Sequence, residues 1–451
     1  MTQSKDKYAT YASDFAAMEE ARSATELAWL SELRGTAWSR FIEVGMPVER
    51  RGNEKWKYTN VAPIANLNFR HRTDLDPDDY ITREDVVSNC PWDNEWVNLV
   101  CIDGRYSDSL SNRLMGNGIY AGGLENVPES HTEILRAHLG QYLSADDDSF
   151  SALNTAFLHD GVFITVPEDV AVPEILNVVF VSTGRGSPLA TYPRLLIVAG
   201  RNSSFTVHES YVSLSEEVGF TNAVSEIVLA DGAQVQHSRL LIENELAYHV
   251  GISRVYQSEY SEFTSCSFTR GAKLGRSDLH VLIDGPAAKC NLNGLYLTSG
   301  SQHMDNFINI EHAKPSGTSR LLYKGILDGQ SRAVFGGTVL VHRDAQHTDA
   351  QQTDKNLLLS EDAEVDSKPS LFIYADDVKC GHGATAGHID AETLFYMRSR
   401  GLDLETAGRI LIQAYAGEII DKVSSDGLRD YLDRLYSGAV ESPCIALGGI
   451  S

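Results

Sequence analysis

No stretch of this sequence approaches the roughly 18 apolar residues that a membrane-spanning helix needs. The opening residues, MTQSKDKYATYASDF, carry no apolar segment of the kind a secretory signal requires, so a cytoplasmic protein is expected. Cations are in short supply: 38 lysines and arginines stand against 62 aspartates and glutamates, for a formal charge of −24. Nucleic acid and anionic membrane both reward clustered cations, so neither is expected as a partner, and the acidity reads as solubility. The six cysteines (Cys90, Cys101, Cys266, Cys290, Cys380 and Cys444) are far apart and form no CxxC pair, which points to buried thiols rather than a disulfide framework or a zinc knuckle. Gly271-Ala272-Lys273-Leu274-Gly275-Arg276 has the residue types of a phosphate loop without the GxxxxGK spacing, so no nucleotide site is expected. Tryptophan is absent after Trp96; all five (Trp29, Trp38, Trp56, Trp92 and Trp96) precede it, which suggests an N-terminal domain with its own aromatic core.

What is present is apolar content of 42% over 451 residues, enough for a real core and for several domains or one elongated one. Residues 10–45 read as helical, with Leu27, Leu30, Leu33, Trp38 and Phe41 recurring at spacings of three to five and no proline before Pro47. Residues 129–145 offer another amphipathic helix, through Ile134, Leu135, Leu139 and Leu143. From about 150 to 380 the pattern changes to short β runs, such as Val162–Val166, Leu195–Val198 and Ala333–Phe335. Turn signals recur at Gly200, Asp231-Gly232, Asp284-Gly285 and Asp328-Gly329. No helix interrupts this region and no strict repeat consensus appears. A parallel β-solenoid and a large sandwich both fit, and small residues at recurring corners favour the solenoid. Three regions result: a helical or mixed N-terminal domain (1–150), a β core (151–385) and a C-terminal helical domain (386–451).

The densest stretch is Pro369 to Gly401. It opens as a strand, presents Lys379-Cys380-Gly381-His382-Gly383, and starts a helix at Asp390, a natural cap. If the backbone of Cys380–His382 is extended, thiol and imidazole point the same way. Such a pair can be a nucleophile, a metal ligand or a persulfide carrier; it can equally be a structural cysteine beside a hydrogen-bonded histidine. His342 and His347 stand five apart, neither the strand nor the helix spacing of a metal site, and read as solvated histidines. The amphipathic C-terminal helices can pack on their own domain; Phe395, Tyr396 and Met397 in a row exceed what one helix face can bury, which leaves some apolar surface for a partner.

Four segments carry a family resemblance: Asn53–Ile64 (NEKWKYTNVAPI), Ala152–Pro167 (ALNTAFLHDGVFITVP), Ala345–Ser360 (AQHTDAQQTDKNLLLS) and Pro369–Leu402 (PSLFIYADDVKCGHGATAGHIDAETLFYMRSRGL). Together they resemble the SufB/SufD family of iron–sulfur cluster assembly proteins. The SufB branch carries His-Glu-Ala where this chain has His382-Gly383-Ala384, so the resemblance is to the SufD branch. It implies a mainly β fold, a right-handed parallel β-helix flanked by N-terminal and C-terminal helical domains. It also implies a non-enzymatic scaffold of a SufBCD complex that pairs with SufB, docks the ABC-type ATPase SufC on its C-terminal helices, and could homodimerise when alone. The family's interface cysteine and histidine fall on Cys380 and His382, implied metal ligands of a transient iron–sulfur cluster; no tightly bound cofactor is implied. The SufC-docking segment falls on Phe395, Tyr396, Met397, Arg398 and Arg400. The competing class is a β-helix polysaccharide lyase or hydrolase, which needs clustered carboxylates on one solenoid face.

Overall fold

A computed structural model describes residues 8–21, 28–48, 53–71, 80–143, 149–185 and 188–438; Leu27 and Cys444 lie outside the described residues. From Val162 onward the chain passes back and forth between two sheets, and the strands of the body pair with the strands one turn before and after them. Pairing within the body is parallel and in register: Tyr248–Gln257 lies on Leu274–Ile283, and Thr318–Leu327 lies on Asp349–Leu358. The chain therefore winds as a two-walled parallel β-solenoid with about 30 residues to a turn, within the usual range for stacked repeats.

Alternation along each strand decides what fills the lumen. Val235, Phe263, Cys290, Ser319, Ala350 and Cys380 stand in one column across successive turns. Beside it run His237, Ser265, Leu292, Leu321, Gln352 and His382, and then Glu209, Arg239, Ser267, Gly294, Tyr323, Asp354 and Ala384. Polar side chains gather in the lumen around Glu209 and again around Asp354, with apolar residues before and between them. The Glu209 carboxylate accepts from His237 Nε2 (2.8 Å), Ser225 Oγ (2.7 Å) and Tyr211 Oη. Burial alone would push its pKa up, but the hydrogen bond and charge of His237, with Arg239, hold it at about 2.

One corner of the turn repeats without repeating its sequence. Asp169, Asn202, Gly232, Tyr260, Ala287, Ser316 and His347 all take left-handed backbone angles, with φ between 53° and 68°. Each donates its backbone N–H to a carbonyl of the following turn, from Asp169 to Arg201 through His347 to Asp377. His347 is thus a corner residue, and its ring pairs with Asp377 (Nδ1 to Oδ2, 3.0 Å) rather than with His342.

The N-terminal region is joined to the solenoid. Val97–Ile102 extends one sheet in parallel alongside Leu176–Val181, while Ile119–Gly123 closes the other sheet antiparallel against Val162–Val166. The helices Ala9–Ala21, Ala28–Val44 and Ser149–Ala156 cover an outer wall through Phe41, Phe150, Phe157, Phe220, Val224 and Tyr248. The expected single aromatic core does not form, because this region wraps several separate patches. Trp38 and Trp56 join that wall, Trp29 packs near Leu135, Trp92 near Val86, and Trp96 against the C-terminal helices. Asn53–Thr59 is strapped across the turns by Lys55–Asp278 (2.7 Å), Arg276 over the Trp56 ring (4.1 Å) and Glu54–Lys368 (2.9 Å). The helices Leu404–Ile420 and Asp426–Gly438 cover the opposite wall through Ile412, Ile419, Leu428 and Leu432 on Phe268, Leu295 and Ile326.

Tyr260 is 66% exposed and sits in the left-handed region, where a β-carbon is strained. Tyr260→Asn should raise stability by about 0.5–1 kcal/mol, while Tyr260→Val should lower it, because asparagine tolerates this corner and a β-branched residue does not. Paired urea titrations test this; equal midpoints for the two variants would contradict the corner argument.

Candidate functional site at the last turn

The final turn consists of Glu364–Ile373 in one wall and Lys379–Gly387 in the other. Among the described residues each is the terminal strand of its sheet and pairs on one side only, with Arg332–Val341 and Asp349–Leu358 respectively. The opposite edges present unpaired N–H and C=O groups, the state that invites pairing with another chain. Phe372 and Tyr374 on this turn are 51% and 64% exposed, a further mark of an unfinished surface.

Cys380 and His382 lie on this last strand, two apart and therefore on one face, the lumen face. Cys380 packs half-buried against the end of the core. Burial pushes its thiol pKa up, opposed by a backbone hydrogen bond from Ala350, so the free thiol holds its proton at neutral pH. His382 is exposed, and its ring makes no hydrogen bond to a described residue. A β-carbon on Gly383 would meet nothing within 4 Å, so the backbone beside the imidazole is open to an approaching chain.

Beneath the pair lies a floor of polar side chains that motif reading missed. Gln352, Asp354 and Asn356 face the lumen one turn below. Gln352 reaches across to the other wall and donates from Nε2 to the Gly337 carbonyl (3.2 Å); a β-carbon at Gly337 would lie 2.1 Å from that nitrogen. Asp354 Oδ2 accepts from Ser367 Oγ (2.7 Å) and from Asn356 Nδ2 (2.8 Å). Asp354 Oδ1 and Gln352 Oε1 are buried without partners. Burial pushes the Asp354 carboxyl up to about 6. The available signal was period-two polarity, Gln352, Asp354 and Asn356 at alternate positions where neighbouring strands carry apolar residues.

The helix Ala391–Ser399 starts four residues after the strand ends, capped by Asp390 Oδ2 accepting from Thr393 N (2.8 Å). Only Leu394 is buried; Phe395 and Tyr396 are 75% and 58% exposed, Met397 is half-buried, and Arg398 and Arg400 are exposed. Arg400 Nη2 donates to Tyr396 Oη (3.0 Å). Behind this helix, Leu404–Ile420 grips the solenoid. Buried Lys324 donates from Nζ to the Tyr415 carbonyl (2.6 Å) and to Glu418 Oε2 (2.7 Å), and Tyr415 Oη donates to the Lys355 carbonyl (2.8 Å). Lys355 lies between Asp354 and Asn356, so the helices touch the strand that carries the polar floor.

Among the described residues no group of three His, Cys, Asp or Glu is placed to hold a metal ion. His342 Nε2 instead pairs with Glu311 Oε1 (2.7 Å), and His280 with Glu311 Oε2 (3.2 Å), on the outer wall. No described helix is long and apolar enough to cross a membrane.

Comparison with known proteins covers nearly the whole sequence. The SufBD core domain of the SUF system for iron–sulfur cluster assembly matches residues 180–415, and the SufBD protein N-terminal region matches residues 3–178. The chain is 31% identical to the iron–sulfur cluster assembly SufBD family protein slr0076 of Synechocystis, over 92% of each chain. It is 31% identical to the iron–sulfur cluster assembly protein SufD of Escherichia coli, over 89% of this chain and 92% of that one. It is 25% identical to SufD of Bacillus subtilis, over 90% of this chain and 93% of that one.

Asp354 binds its proton more tightly in the folded chain than in the unfolded one. Ionising it therefore destabilises the fold as pH rises from about 4 to about 6, by up to about 3 kcal/mol above that window. Asp354→Asn cannot ionise. Its stability relative to the wild type should grow by about 2–3 kcal/mol between pH 4 and pH 7.5, read from urea titrations. A pH-independent difference would contradict the raised carboxyl.

Proposed function

The chain belongs to the SufBD family of iron–sulfur cluster assembly proteins, and from that membership we propose that it is the SufD-type scaffold of a SufBCD complex. Near full-length similarity to two proteins named SufD supports the branch, as does Gly383 at the position where the SufB branch has glutamate. The observation that carries the reading is the last turn: a cysteine and a histidine share one face of a strand whose outer edge is unpaired.

In this reading SufB completes the unfinished edge by strand pairing, with Phe372 and Tyr374 in the contact. Thiolate and neutral imidazole are both good ligands for iron. A cluster usually takes four ligands, so Cys380 and His382 supply half of a site and the partner supplies the rest. Cys380 gives up its proton when iron takes the sulfur, so acid opposes loading. The cluster is cargo, assembled at the interface and passed on, and the chain itself catalyses no covalent step. A second copy can occupy the same edge when SufB is absent. The ATPase SufC docks on Phe395, Tyr396, Met397, Arg398 and Arg400, where large side chains face solvent around one buried anchor, Leu394. Its movement reaches the site through Lys324, Tyr415 and Lys355. The setting is the cytoplasm.

His382→Ala, co-expressed with SufB and SufC, should assemble normally yet lose most iron–sulfur absorbance; wild-type loading would reduce His382 to a structural residue. Tyr396→Ala and Arg398→Ala should each weaken SufC capture several-fold while leaving the thermal midpoint unchanged. Undiminished capture by folded variants would remove this helix from the docking surface.

A further inference from the structure

The lumen end beneath the pair contains an unmatched acceptor and an unmatched ring. Asp354 is fully buried, and one of its two oxygens is satisfied twice over by Ser367 and Asn356. The other, Oδ1, has no partner. Nearby donors bond elsewhere: Tyr296 Oη donates to Asn356 Oδ1, and Gln352 Nε2 donates one N–H across the lumen to Gly337. A buried acceptor left unmade costs about 1–3 kcal/mol, so this arrangement is maintained against a penalty.

The open side of the same lumen holds the complementary group. His382 stands in register over Gln352, and Asp354 is two residues further along that strand on the same face. Diagonal neighbours of this kind lie about 7–8 Å apart at the backbone, within reach of an aromatic side chain. The ring of His382 makes no hydrogen bond to a described residue, so it is free to turn inward. A histidine that binds metal through one ring nitrogen ordinarily donates the other N–H to a carboxylate or carbonyl, which fixes both tautomer and ring direction.

We infer that Asp354 is a positioning residue for His382: its unpartnered Oδ1 accepts the N–H of the imidazole nitrogen that is not used as a ligand. No bond to metal is assigned to Asp354 itself, and no proton changes owner in the contact. Gln352 lies under the ring and fills the floor, with its amide drawn toward the opposite wall by the bond to Gly337. The inference deepens the proposed assembly site and rests on His382 being one of its ligands.

The test begins without metal. In the full chain labelled with 15N-histidine and held at about pH 8, where an ordinary histidine is neutral, ring nitrogen shifts report the tautomer. The His382 signals are identified by their loss in His382→Ala. The wild type should show one dominant tautomer, and Asp354→Asn, which keeps the shape but presents an amide, should show a mixture or the opposite form. Ser367→Ala removes a partner of Oδ2 and leaves Oδ1 in place, so it should keep the wild-type tautomer. In the assembled complex Asp354→Asn should lower iron content by about tenfold, the lower end of the range for loss of a supporting carboxylate. An unchanged tautomer in Asp354→Asn overturns the inference, as does an equal change in Ser367→Ala, which would mean general loosening. Loss of iron in His382→Ala alongside full iron in Asp354→Asn leaves the ligand reading standing and removes Asp354 from it. Full iron in His382→Ala defeats the ligand reading instead, while the tautomer data still decide whether the contact exists.

Discussion

Every turn of a parallel solenoid depends on its neighbours for its hydrogen bonds. A strand in the body satisfies its N–H and C=O groups by pairing with the turns before and after it, and only stacking makes that possible. The constraint runs the length of the molecule and cannot be met at its ends. At the beginning the chain answers with antiparallel closure by Ile119–Gly123. At the last turn Glu364–Ile373 and Lys379–Gly387 each keep one edge open. Cys380 and His382 stand where the stacking rule is left unfulfilled.

The lumen makes a related contrast. Glu209 and Asp354 are both buried there, and their surroundings shift them in opposite directions. Glu209 lies against His237 and Arg239 and is held at about 2. Asp354 has only neutral partners and is pushed up to about 6. The first is a satisfied structural network; the second is a group in want of a partner, one turn beneath the strand that carries Cys380 and His382. Buried polar groups at functional sites are commonly held at such a cost to stability.

Much of the last turn and the helices after it was legible in the sequence, because local chemistry dictates local structure there. The strand before Asp376, the same-face spacing of Cys380 and His382, the Asp390 cap and the stop at Gly401, at φ +96°, all follow from neighbours in the chain. The surplus of large side chains at Phe395 and Tyr396 is equally a local fact. The repeat was less legible, since its corner specifies a backbone angle and one hydrogen bond rather than a side chain. Aspartate, asparagine, glycine, tyrosine, alanine, serine and histidine each fill it. The tryptophans misled because proximity in sequence does not fix which wall a wrapping segment reaches. Asp354 was hidden for a related reason: its relation to His382 exists only through the register of two strands, which no single strand encodes.

The grip of Leu404–Ile420 on Lys324 and Lys355 makes the helical region a ruler for the solenoid. It is anchored to two consecutive strands of one wall, and the strand bearing Cys380 and His382 is the next one on. Adding or removing a whole turn between Phe268 and Lys355 would shift the strands by one spacing, about 4.8 Å, and carry Phe268, Leu295 and Ile326 out of line with the helices that cover them. A turn inserted between Lys355 and Cys380 would slide the edge past the helices that hold it. The solenoid is therefore fixed in count over the turns that these helices span, from Phe268 to the open edge.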